Sequence, residues 1–217
     1  MTECTPAEIR TKAPGRRDFV ARFDGGDITT DGGVLLFQAV EEKRSILKRF
    51  AECFTDHRDS SRVEHTVTQL VSQRVLAIAL GYEDVNDHDR LRLDPLLASV
   101  VGKIDPKGSS RKRQADSGLA KEQQLDLFAD RTSCHLFRAN QVRLYLSSLA
   151  YVMMSELRRI GLAGTELAQA QCGTIRTRLL KIGARVRVTA RNIWVSMSES
   201  YPLQDLLMQA WHRVAYG

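Results

Sequence analysis

The sequence predicts a mainly α fold with minor β structure, an α+β arrangement, on three observations. A 3.6-residue apolar period runs through Val63, Val67, Leu70, Val71, Val75 and Ile78 and stops at Gly81. Residues 139–160 are apolar nearly all round, as a central buried helix would be. Two-residue alternation, the mark of strands, is confined to short stretches at 17–24, 185–189 and 193–197.

Residues 1–15 are polar, contain Pro6 and Pro14, and read as a mobile tail. Phe19, Ala21 and Phe23 then alternate with charged or small residues, which predicts a short strand. The following FDGGDITTDGG reads as a glycine-rich turn, with Asp31 as N-cap of the next helix and Asp24 and Asp27 as turn residues. Residues 34–43 and 46–54 read as helices. Ser61 and Glu64 form an S-x-x-E capping box ahead of the long periodic helix, and Gly81 ends it. Residues 86–101 are helical again, restarted at Asp94-Pro95 because proline is tolerated in a first turn.

This first helical module spans 16–101. Residues 102–120 lack apolar periodicity and form a basic, glycine-containing linker. A second, basic helical module spans 121–217. It opens with a short helix at 122–128, and the helix at 139–160 carries Val142, Leu146, Leu149, Met153, Leu157 and Ile160 on one face. A helix near 174–182, a β-hairpin, and a last amphipathic helix bearing Leu203, Leu206, Leu207, Ala210, Trp211 and Val214 complete it.

With 217 residues, 43% of them hydrophobic, the chain is long enough to bury a real core. The longest apolar runs, 75–80 and 149–154, fall far short of the roughly 20 residues that span a bilayer, so no membrane partner is expected. Glu3 and Glu8 stand where a signal peptide needs basic and then apolar residues, so a cytoplasmic location is expected. Cys4, Cys53, Cys134 and Cys172 are scattered without a CxxC pair and read as reduced structural thiols.

The net charge of +6 is unevenly placed. Residues 1–120 hold 19 Lys and Arg against 19 Asp and Glu, whereas residues 121–217 hold 13 against 7. Arg176, Arg178, Lys181, Arg185, Arg187 and Arg191 lie in a stretch, 167–198, that contains no acid. This is the footprint of a polyanion contact, and all six are assigned to DNA binding. Arg185 and Arg187 share one strand face while Val186 and Val188 share the other, so the cations face water and the valines bury. Arg111, Lys112 and Arg113 read as a solvated linker run.

Two acidic groups invite a catalytic reading. Asp24, Asp27 and Asp31 share one turn, but a two-metal site needs carboxylates converging on ions roughly 3.5–4 Å apart, and one turn does not supply that. His57, Asp59, His65, Asp84, Asp87, His88 and Asp89 include an HD dipeptide reminiscent of HD-type metal phosphohydrolases, although capping and hydrogen bonding within the first module account for them more simply.

Five longer strings carry a family resemblance. GYEDVNDHDRLRLDP occupies 81–95, with HRDSSRVEH at 57–65 upstream; KEQQLDLFADRTS occupies 121–133, followed by RANQVRLYLSSLAYV and QCGTIRTRLLKIGARVRV. They resemble insertion-sequence transposases of the IS1380 family. That resemblance implies an RNase H-like DDE fold with an Asp-Asp-Glu triad and magnesium, and a long central segment between the two groups of strings. Here about 25 residues separate Pro95 from Lys121. The chain therefore reads as the flanking parts of such an enzyme with the central catalytic sheet region missing and a deletion junction near Ala120 and Lys121. On this reading the triad lay in the absent segment, and Glu122 is out of register with its glutamate. No catalytic residue, metal ligand or cofactor is then assigned, and the derivative is expected to be inactive in catalysis.

The partners implied are DNA, at the terminal inverted repeats of the element, and a homo-oligomer or mixed oligomer with full-length transposase. The apolar helix at 139–160, without the sheet it would cover, is expected to favour self-association. A non-catalytic DNA-binding protein that interferes with full-length transposase is the alternative, with an HD-like phosphohydrolase behind it.

Overall fold

A computed structural model describes residues 8–12, 18–22, 26–59, 63–82, 87, 91, 93–103, 137–189 and 191–217. In chain order the elements are β1 (Glu8–Lys12), β2 (Asp18–Arg22), β3 (Asp27–Thr29), α1 (Val34–Arg44), α2 (Ile46–Ala51), α3 (Val67–Leu80) and α4 (Pro95–Val100). After them come α5 (Phe137–Glu156), extended by a π-helical turn at Leu157–Gly161, and α6 (Cys172–Ile175), extended by another at Arg176–Leu180. β4 (Ala184–Val188), β5 (Ile193–Met197) and α7 (Gln204–Tyr216) follow. The described residues are mainly helical with small antiparallel sheets, the α+β class expected.

Local chemistry explains the helix ends. Ser45 adopts a left-handed conformation (φ 51°) between α1 and α2, and the Glu41 carboxylate accepts from the amides of Leu47 at 2.8 Å and Lys48 at 3.0 Å. The Glu41 side chain thus caps α2, while its backbone carbonyl accepts from Ser45 N at 2.7 Å and closes α1. Asp94 is the N-cap of α4: its Oδ1 accepts from Leu96 and Leu97 at 2.9 Å each, and Pro95 occupies the first turn. Gly81 ends α3 with φ 95°, a conformation costly for any residue with a Cβ.

The capping box of α3 is not the expected one. Thr66 is the N-cap, accepting from the Gln69 amide at 3.2 Å, while Gln69 Oε1 accepts from the Thr66 amide at 3.1 Å. The helix therefore starts at Val67, and Glu64 lies outside it. Both pairs have the required three-residue spacing, so the spacing alone does not choose between them.

Three further expectations change. Residues 8–12, assigned to the tail, form β1 and pair antiparallel with β2, Ile9 opposite Ala21 and Thr11 opposite Phe19. Within the glycine-rich turn, residues 27–29 form β3, because β4 offers them an edge with Ile28 opposite Arg185. The helix at 139–160 is buried on one side only. Leu146, Ala150, Met153, Met154 and Leu157 are in the core, but Phe137, Leu144, Tyr145, Tyr151 and Val152 are exposed along the other face. The expected helix at 122–128 lies outside the described residues.

β3, β4 and β5 make a three-stranded antiparallel sheet in that order, so one strand comes from the first half of the chain and two from the second. The core is likewise shared. Val34, Phe37 and Val40 of α1 and Val71, Val75 and Leu80 of α3 belong to one buried cluster with Met153, Leu157, Leu179, Val186, Ala210 and Val214. α3 packs on α5, and α1 packs on α7. Burying apolar surface from both halves together ties their folding to one another.

Candidate functional site

The basic segment 176–191 begins at a seam between the two halves. Gly32 N donates to Ile182 O at 2.9 Å and Gly33 N donates to Leu180 O at 3.1 Å. Amides at the start of α1 thereby satisfy carbonyls at the end of the Arg176–Leu180 turn. Gly33 is the N-cap of α1. The approach is so close that a Cβ there would lie 2.4 Å from Leu179 O and 2.5 Å from Leu180 Cα.

Asp31 is not the N-cap of α1. It is buried in this seam, where Lys181 Nζ lies 2.8 Å from its Oδ1 and the Tyr82 hydroxyl donates to Oδ2 at 2.7 Å. Lys181 Nζ also sits 3.8 Å from the centroid of the Tyr82 ring. Asp31 still occupies the favourable end of the α1 dipole, and Lys181 that of the preceding turn. Burial alone would lower the Lys181 pKa, but bonding to Asp31 and Tyr82 outweighs it and holds the ammonium above its ordinary value.

Arg176 is also used by the fold. Its Nε donates to Ala79 O at 2.9 Å and its Nη2 to Ile78 O at 3.5 Å, which satisfies the carbonyl end of α3. Arg178 Nη2 pairs with Glu166 at 2.9 Å, and the Arg178 carbonyl accepts from Tyr201. Burial raises the pKa of that tyrosine hydroxyl. The helical part of the basic segment is thus largely engaged within the molecule.

The strand part differs. Arg185 and Arg187 project from the outer face of β4 and are exposed, while Val186 is buried beneath them. Register places Trp194 opposite Arg187 and Ser196 opposite Arg185. Arg191 is exposed at the turn, where Thr189 N donates to Asn192 O at 2.9 Å. Trp194 was not singled out from sequence. The two residues between Thr189 and Asn192 were the available signal, since a two-residue hairpin turn fixes the register.

The acidic groups do not form a metal centre among the described residues. No three His, Cys, Asp or Glu side chains there come together in a way that could hold an ion. Asp31 is neutralised by Lys181. Asp94 caps α4 through one oxygen and accepts from Thr29 Oγ1 at 2.5 Å through the other. His57 and Asp59 lie exposed in a loop, beside an Asp56 whose carboxyl Arg58 holds down to about 2 by side-chain and backbone hydrogen bonds. Asp24, Asp84, His88, Asp89 and Glu122 lie outside the described residues. These described carboxylates do not fit the two-magnesium arrangement of a phosphoryl-transfer site.

The thiols of Cys53 and Cys172 are free, and Cys172 Sγ accepts from Arg158 at 3.6 Å. Among the described residues no helix is long and apolar enough to cross a membrane.

Compared with known proteins, residues 11–117 and 109–216 each match the family model described as transposase DDE domain, group 1. No curated protein and no solved structure matches the chain.

Proposed function

Since the chain belongs to the transposase DDE domain group 1 family, we propose that it is an internally shortened, IS1380-like transposase derivative that binds DNA without cutting it. Arg185, Arg187 and Arg191 are its phosphate contacts. The observation that carries the proposal is the outer face of the β4–β5 hairpin, which presents exposed arginines from a segment without a single acid. Arg176, Arg178 and Lys181 support that face from behind, through their contacts with α3, Glu166 and Asp31.

Two further observations support the shortened state. The family match comes in two pieces that meet at residues 109–117, within the 102–120 linker. Asp31 and Asp94, two of the carboxylates the seam gathers, are engaged by Lys181 and by Thr29 with the start of α4. Among the described residues no set of carboxylates converges to position the ions that activate water in phosphoryl transfer.

The test joins binding to cleavage. Mobility shift on duplex DNA carrying the element's inverted repeats should weaken steeply with salt, by roughly 0.9 log units per log unit of salt for each phosphate contacted. Three contacts predict a slope near −2.7, and replacing any of the three arginines by alanine should flatten it by about 1. A flat salt response would remove the DNA reading. Nicking of the same DNA with magnesium or manganese would remove the claim of inactivity.

The exposed stripe of α5 supports a second reading, interference with full-length transposase through mixed oligomers. Phe137, Leu144, Tyr145, Tyr151 and Val152 fall on one side of the helix, and apolar area of this kind favours association. Sedimentation of the protein with and without a full-length relative checks this. Additive profiles would count against it.

A further inference from the structure

We propose that Trp194 is a stacking platform for an unpaired base, so that the hairpin face prefers single-stranded DNA over duplex. The inference rests on the DNA-binding reading above and names the form of DNA that the same face takes.

The outer face of the three-stranded sheet carries two rows. Ile28, Arg185 and Ser196 form one, and Arg187 with Trp194 the other. All five are exposed, Ile28 at 65% and Trp194 at 51%. Strand alternation sends Asp27 to the opposite face, because it pairs with the buried Val186. The face therefore offers cations and apolar surface with no carboxylate among its described residues.

Leaving half an indole in water is unfavourable, so its exposure on this face calls for an explanation. Arg187 lies directly across the strand pair from it. Its guanidinium carbon lies 5.7 Å from the ring centroid, a cation–π distance, and half of the tryptophan surface stays exposed beside it. A half-exposed aromatic ring beside phosphate-binding arginines suits a base whose own face is bare. In a duplex that face is hidden by the neighbouring pairs, and the groove edges are polar and call for hydrogen-bonding side chains rather than an indole.

The chain has two tryptophans, so Trp211→Phe leaves Trp194 as the only indole reporter. Titrating that variant with oligothymidylate should quench its fluorescence, while a duplex of equal length should quench it far less. In anisotropy binding, Trp194→Ala should weaken oligothymidylate by about tenfold and change duplex affinity less than about twofold. Trp194→Phe should recover most of the loss, since a phenyl ring still stacks. Equal loss on both DNAs, or no loss on the single strand, overturns the platform while leaving DNA binding standing. If the unaltered protein binds neither DNA, or the Arg185→Ala and Arg187→Ala variants bind both as tightly as it does, the DNA reading falls with it.

Discussion

The seam around Asp31 and the outer face of the hairpin draw on the same basic segment, yet treat its cations in opposite ways. At the seam, Arg176 and Lys181 spend their donors on Ala79, Ile78 and Asp31. On the hairpin, Arg185 and Arg187 face water, and Arg187 leans on Trp194. A run of positive charge in a sequence says that a polyanion contact is affordable, not which cations make it. The division follows local geometry: a helix end that meets another helix consumes its cations, and a strand that buries its valines presents them.

If that division is real, the seam should respond to substitution in stability and the hairpin in binding. The largest effect is expected at Gly33→Ala, where the added Cβ would meet backbone atoms that cannot move independently. A loss of about 3 kcal/mol or more is expected in urea unfolding. Gly173 is the control, since nothing lies within 4 Å of a Cβ added there, and Gly173→Ala should be neutral or slightly stabilising. Equal midpoints for the two variants would break the comparison at its tight end.

Next comes Lys181→Met, which strands the Asp31 carboxylate in a buried site. Lys181 itself keeps some contact with water, so the cost is set below that of a fully buried pair, at about 2 kcal/mol. Adding Asp31→Asn should restore part of it, because the stranded charge is then gone. The pair also fixes a pH dependence. A lysine held above its ordinary value of 10.5 contributes stability that is complete below that value and lost as pH rises through the folded pKa. Unfolding midpoints followed upward from pH 10 should therefore fall faster for the unaltered protein than for Lys181→Met. Parallel curves would show that the pair contributes nothing.

How much of this was legible beforehand depended on where each partner lay in the chain. α1, the Gly81 stop, the Asp94-Pro95 restart, the hairpin and α7 all carry their causes within a few residues, and all were read from the sequence. β3 was read as a turn, because its three residues become a strand only against β4 from the far end of the chain. Asp31 misled for the same reason. An aspartate ahead of a helix is a good N-cap by composition, and nothing local reveals that Lys181 and Tyr82 converge on it. The exposed basic face was legible from alternation alone. Trp194 joined it only through cross-strand register.

A smaller seam effect is expected from Arg176→Ala. It removes two donors from the carbonyl end of α3 and the side chain that packs against Gly81. The loss should be about 1–2 kcal/mol, since water can replace part of the hydrogen bonding. Amide hydrogen exchange near the end of α3 should rise more than elsewhere. Uniform acceleration would mean that Arg176 supports the whole fold rather than that one helix end.

The smallest effect on stability belongs to Arg185→Ala and Arg187→Ala. Neither guanidinium makes an ion pair within the described residues, and the strand below is held by Val186 and its ladder to β3 and β5. Stability should change by no more than about 0.5 kcal/mol, while the salt slope of DNA binding should flatten by about 1 for each. This pairing of small and large is the sharpest form of the comparison. If either variant instead loses as much stability as Lys181→Met while keeping its DNA affinity, the exposed arginines belong to the fold after all. The split between consumed and presented cations would then disappear.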